Sequence, residues 1–200
     1  MKRYTMNSFR IFTFGMLLTA VFYSLYASAP KIGVTLLAGG RYDDLRMCVG
    51  SPAGVKGGPI GDVMAALRSQ VDDKSSIALK IPVMRPLLFG IAFKMLQFEP
   101  ELTLEYQPEG TIGKFFFIES GVGGSFHWGP DYTTERDAQE RNNFFAAGPI
   151  ISSLLGFHLP GPEVQRRYIG LKLFYSSLFS KVRPRGTVVG LAIEGGFGLF

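Results

Sequence analysis

The sequence predicts an all-β chain: an antiparallel, up-and-down transmembrane β-barrel of about eight strands behind an N-terminal signal peptide. Three observations lead there. The 200 residues are rich in Gly (25) and Phe (18), with only 18% charged. Mean hydropathy is positive, yet after residue 26 there is no apolar run long enough for a spanning helix. Apolar residues instead alternate with others over runs of strand length. The alternate positions mix Gly and Ala with charges of both signs, including Lys80, Gly90, Ala92, Lys94, Glu105, Glu119, Gly170, Lys172, Gly190 and Glu194. A soluble surface would carry more Asn, Ser, Lys and Glu. A narrow membrane barrel turns its apolar face to lipid and fills its lumen with small residues and mutually paired charges.

The elements follow in chain order. "MKRYTMNSFR" supplies Lys2, Arg3 and Arg10, "IFTFGMLLTAVFYSLY" is an apolar run, and "ASAP" offers small residues, so 1–29 reads as a secretory signal peptide. Pro30 is unfavourable just after a cut at Ala29, which leaves Ala27 as the fallback and an uncleaved anchor helix as the alternative. Residues 30–200 then form the barrel domain. The formal charge of +5 includes those three basic residues, so +2 remains. Without a Lys/Arg run, nucleic-acid binding has no support. Cys48 is the single cysteine, which excludes an intramolecular disulfide and a multi-cysteine metal site.

"KIGVTLLAGGRY" (31–42) is the first strand. Residues 43–75 read as a long Gly/Pro-rich extracellular loop, within which "GDVMAALRSQ" reads as a short helix capped by Asp62. "SIALKIPV" (76–83) alternates as a strand. Residues 76–97 unbroken would reach roughly 70 Å, too long for one crossing, so the stretch is split at Met84-Arg85-Pro86. "LLFGIAFKMLQF" becomes the next strand, and Glu99-Pro100 turns the chain into "ELTLEYQ" as a hairpin. Strands follow at "IGKFFFIESGVGGSFHW", "FFAAGPIISSLLGFHL", "QRRYIGLKLFYSSLFS" and "TVVGLAIEGGFGLF", the second long loop falling at 124–143. Pro82 and Pro86 interrupt strand hydrogen bonding wherever they sit. Aromatics such as Phe98, Tyr106, Phe126, Trp128, Phe145, Phe157 and Tyr175 gather near strand ends, as in interfacial girdles.

The candidate lumen set is Lys80, Lys94, Glu105, Glu119, Lys172 and Glu194. The candidate loop set is Asp131, Glu135, Arg136, Glu140 and Arg141, with Asp137 beside them. Such loops are where ligands or host molecules are met. No cofactor or metal is implied: His127 and His158 stand 31 apart with no ordered carboxylates. "LAGG", "GVGG" and "EGGFG" lack the contexts of phosphate loops. "SFHW" puts Ser125 and His127 on one strand face, with Glu135 and Glu140 following, against a plainer reading of His127 and Trp128 as interface anchors.

The signal peptide, "FGIAFKMLQFEPELTLEYQ", "FIESGVGG" and a terminal strand ending on Phe200 together resemble the small OmpW-, OmpX- and OmpA-transmembrane-like outer-membrane barrels of Gram-negative bacteria and spirochaetes. The resemblance covers most of 31–200 by pattern. It implies export through the general secretory pathway, residence among outer-membrane lipids, and recognition of the C-terminal strand by the barrel-assembly machinery. Phe197 and Leu199 share a parity that Phe200 does not, a departure from the usual C-terminal pattern. The implied function is non-enzymatic: a narrow, porin-like path for small or hydrophobic solutes, or a surface or structural role. Two alternatives stay open, a lipid A deacylase-like acyl hydrolase and a soluble, secreted, lipocalin-like binding protein with an apolar calyx.

Overall fold

The computed structural model describes residues 30–45, 55–91, 94–110, 115–130, 143–160, 167–181 and 185–199. Residues 1–29, over which a signal peptide is expected, and Cys48 and Phe200 lie outside them. Among the described residues nine strands form, β1 (Lys31–Asp43), β2 (Gly58–Gln70), β3 (Ser75–Pro82), β4 (Leu96–Phe98), β5 (Glu101–Tyr106), β6 (Phe116–Pro130), β7 (Asn143–Leu159), β8 (Arg167–Ser180) and β9 (Gly186–Gly198), with one helix, α1 (Met84–Ile91). All pairings are antiparallel. They run from β4/β5 through β3, β2, β1, β9, β8 and β7, and β7 closes the circle on β6.

β4 and β5 are two pieces of one stave. Phe98 pairs with Phe126 and Glu101 with Gly123 of the same β6, in one continuous register. Pro100 has no N–H to give, but its carbonyl still accepts from Gly124 N at 3.3 Å. The expected hairpin at Glu99-Pro100 is therefore absent, and the barrel has eight staves.

That total agrees with the expectation, but its composition does not. Residues 61–70, read as a helix within a loop, are most of β2. Ala, Met and Leu favour helix locally, but the alternation of Ile60, Asp62, Met64 and Ala66 inward against Pro59, Gly61 and Ala65 outward fits ladders on both sides. Strand pairing overrides local propensity here. The described connection after β1 is confined to 44–57, not 43–75. Residues 84–91, read as a break at 84–86 followed by strand, are α1: Pro86 sits in its first turn, where no helical N–H is lost. The second long loop begins after Pro130 rather than at 124, because β6 pairs with β7 out to Pro130–Asn143.

Burial is inverted relative to a soluble β protein. Leu104, Val122, Ile151, Leu173, Leu191 and Ile193 are about half exposed on the outside, while Lys80, Glu194 and His127 have no exposed surface. An apolar layer inside is formed by Leu37, Met64, Ile150, Phe174, Leu178 and Val188. Of the aromatics near strand ends, Tyr106, Trp128, Phe145 and Phe157 face outward, whereas Phe117, Phe144 and Tyr168 turn in. At the end carrying the termini, the β2–β3 turn is held by Asp72. Its carboxylate accepts from the N–H groups of Lys74 (2.8 Å) and Ser75 (2.7 Å), and the Lys74 bond leads in holding its pKa below the usual carboxylate value.

Candidate functional site

Two clusters of charge fill the barrel, one toward each end. The terminal-end cluster follows from strand parity. Lys80 on β3, Glu101 and Glu105 on β5, Glu119 on β6, Lys172 on β8 and Glu194 on β9 all occupy inward positions and are buried. Lys80 Nζ donates to Glu119 Oε1 and Glu194 Oε1. Lys172 Nζ lies 2.8 Å from Glu101 Oε1 and 3.3 Å from Glu194 Oε2. Arg68 pairs with Glu105 and stands 3.9 Å from Glu119. Tyr168 Oη donates to Glu194 at 2.7 Å, and both Arg68 and Lys80 lie 5.8 Å from its ring centre. Burying such charges is costly unless each is paired and hydrogen-bonded, and here the chain supplies the partners.

Five of the six candidate lumen residues meet in this cluster. Lys94 does not: it is solvent-exposed in the bend between α1 and β4. Its expected place depended on a strand over 87–98, and with a helix there the period-two alignment is lost. Glu101 and Arg68 were missed. Glu101 shares the parity of Glu105 in "ELTLEYQ" but is not in the candidate set, whereas Arg68 lies in the stretch read as a helix and so has no strand parity.

The loop-end cluster centres on Glu99, the residue beside the Pro100 break. Its carboxylate accepts from Ser125 Oγ (2.9 Å) and Arg85 Nη1 (2.6 Å), with Arg41 Nη1 at 3.8 Å. Arg41 Nη2 donates to Asp43 at 2.6 Å, and Arg85 Nε lies 3.1 Å from Asp62 Oδ2. Ser125 and His127 share a face, their Oγ and Nε2 atoms 3.1 Å apart. Glu99 Oε1 meets that same nitrogen at 3.3 Å, and Nδ1 has no hydrogen-bond partner among the described residues. A nucleophile–base–carboxylate relay needs the carboxylate on the other nitrogen. Both Ser125 and His127 are wholly buried, so the hydroxyl is not exposed among the described residues. His127 is thus an interior packing residue, not a rim anchor, while Trp128 does face outward. His158 packs its ring on Phe117 at 4.5 Å, with Gln107 bonded to Nε2.

Between the clusters lies a cavity of about 20 Å³, lined in part by Leu37, Met64, Ile150 and Phe174. That is room for about one water. No group of three or more metal-ligating side chains occurs among the described residues. Asp131, Glu135, Arg136, Glu140 and Arg141 lie outside the described residues.

The resemblance to small outer-membrane barrels holds in the structure as a closed, eight-stave antiparallel barrel. No family model matches the chain, and no curated protein matches it by sequence. Among solved structures it is similar to the crystal structure of Neisserial surface protein A, NspA, with a TM-score of 0.49 and 7% identity over 84% of this chain and 97% of that one. It is also similar to the N-terminal β-barrel domain of Pseudomonas aeruginosa OprF, with a TM-score of 0.40 and 10% identity over 84% of this chain and 98% of that one. The barrel assignment itself rests on this chain's own ladders.

Proposed function

We propose that this protein is a non-enzymatic outer-membrane barrel with a structural or surface role, its lumen plugged rather than open. The observation that carries this reading is the inversion of burial: an apolar outside around an ion-paired inside. Such a surface is stable where lipid replaces water, and backbone hydrogen bonds closed into a ring suit a medium with no other partners. A lipocalin-like calyx would be apolar within, the opposite arrangement.

In this reading residues 1–29 direct export, the terminal end faces the periplasm, and the connections at 44–57 and 131–142 face outward. β9 is then the strand presented to the assembly machinery. Solute passage along the lumen is disfavoured, since a 20 Å³ cavity lies between two ion-paired clusters. The test is electrophoretic mobility of the folded chain before and after boiling, with detergent partition and planar-bilayer recording. A shift on boiling, partition into detergent and no steady conductance are expected. An aqueous chain without a shift refutes the membrane reading, and steady conductance refutes the plug.

A further inference from the structure

The barrel wall is not uniformly hydrogen-bonded. The β2–β3 ladder runs from Gln70–Ser76 to Met64–Pro82, with one further bond from Val83 N to Val63 O at 2.8 Å. The β3–β5 ladder stops at Lys80–Glu101. Pro82 and Pro100 stand at the two stopping points, and neither has an N–H with which to continue. Toward the loop end, Gly58–Asp62 of β2 and Leu96–Phe98 of β4 therefore have no ladder between them among the described residues. α1 lies in that gap, against β2 and β4, with Phe89 packed edge-on to Trp128 at 5.4 Å.

The Arg85 side chain bridges the gap. Arg85 donates Nε to Gly61 O at 3.3 Å, lies 3.1 Å from Asp62, and donates Nη1 to Glu99 at 2.6 Å. It ties β2 to the β4–β5 stave where the ladder is missing. Behind α1 is a cavity of about 190 Å³, bordered mainly by apolar groups of Ile60, Met84, Leu88 and Met95, with Arg85 and Gln97 as its polar lining. Its volume exceeds the roughly 150 Å³ at which an apolar cavity takes up a small hydrocarbon. The Arg85 guanidinium already serves three acceptors, so the cavity offers apolar contact and no spare cation for an anionic head. On the outer side of α1, Leu87 is 60% and Ile91 83% exposed, adding apolar surface beside the outward-facing Trp128.

We propose that this break is a lateral portal in the wall, closed by α1 and latched by Arg85, and that the cavity behind it receives the end of a lipid acyl chain from the adjoining leaflet. The proposal rests on the membrane reading above. The cavity's place beside the lipid-facing wall selects the occupant. Two methionines in the lining suit a flexible chain, since their side chains adapt to irregular shapes.

The test is photolabelling of the full chain, folded in phosphatidylcholine vesicles containing palmitic acid with a diazirine at its methyl end, followed by mapping of the labelled peptides. Labelling at Met84, Leu88 and Met95 is expected to exceed that at Leu171 and Leu173 by roughly five-fold, as a formed pocket competes with uniform annular contact. Gly61→Leu is expected to remove that excess, because a Cβ there reaches toward Met84 Cε at 4.0 Å without a steric clash. Leu88→Phe serves as a second filling variant, and the shift on boiling checks that each variant folds. Even labelling along the wall, or an excess that both folded variants keep, overturns the portal alone. A chain that neither enters vesicles nor shifts on boiling overturns the membrane reading and the portal with it.

Discussion

Lys80 shows how much a single side chain carries in this interior. It has no exposed surface and faces two carboxylates, Glu119 and Glu194, each of which is nearly as buried. Removing the ammonium leaves both acids uncompensated in a medium that solvates them poorly. Lys80→Met is therefore expected to destabilise by about 3–5 kcal/mol, read as a lower urea midpoint of the folded barrel in vesicles. Adding Glu194→Gln should recover part of that loss, since the second change removes one of the stranded charges. Lys94→Met is the contrast. Its side chain is exposed, and the midpoint should move by no more than about 0.5 kcal/mol equivalent. Equal effects at the two lysines would show that burial and pairing do not govern this interior.

Within the strands, interior shape is set by glycines opposite aromatic rings. A Cβ on Gly190 would lie 2.0 Å from Phe174 Cζ, and one on Gly156 2.2 Å from Phe117 Cζ. Phe174 is buried in the apolar layer and cannot swing clear. Gly190→Val is expected to cost about 1–3 kcal/mol or more by overpacking, seen as loss of the boiling shift at lower denaturant. At Gly195 an added Cβ meets only Tyr168 O at 3.6 Å, so Gly195→Ala should fold as before. This parity was legible in the sequence from β5 to β9, where alternation is long and uninterrupted. It failed over 58–70 and 84–95 for physical reasons. β2 is built of helix-forming residues that become a strand only because β1 and β3 pair with it. Residues 87–95 alternate well enough for a strand but also carry a helical stripe, and nothing local decides between them. Glu99-Pro100 reads as a turn, and only the shared β6 register shows one stave. The interior ion pairs could be anticipated as a set. Their geometry could not, because it joins residues as distant in sequence as Lys80 and Glu194.

For the whole molecule, the decisive property is the environment of the outer wall, and depth along one strand measures it. In β8, Leu173 lies near the middle of the wall and is 56% exposed, whereas Phe179 lies near the loop end and is 54% exposed. In water these two positions would be alike, and an arginine would cost little at either. In a bilayer they differ, because a guanidinium at mid-depth has neither water nor headgroups within easy reach. Leu173→Arg should then destabilise by about 2–4 kcal/mol and Phe179→Arg by about 0–1 kcal/mol, measured by reversible urea unfolding in phospholipid vesicles. Neither change touches the ion-paired interior, so a difference between them reports on the surroundings and not on the plug. Equal small costs would place the wall in water. Equal large costs would mean that Phe179, too, lies deep in hydrocarbon, and the loop end would have to be moved outward relative to the membrane surface. A graded response would fix the depth of α1 as well, since it lies at the loop-end rim beside Trp128, where an acyl chain in the neighbouring leaflet would have to reach it.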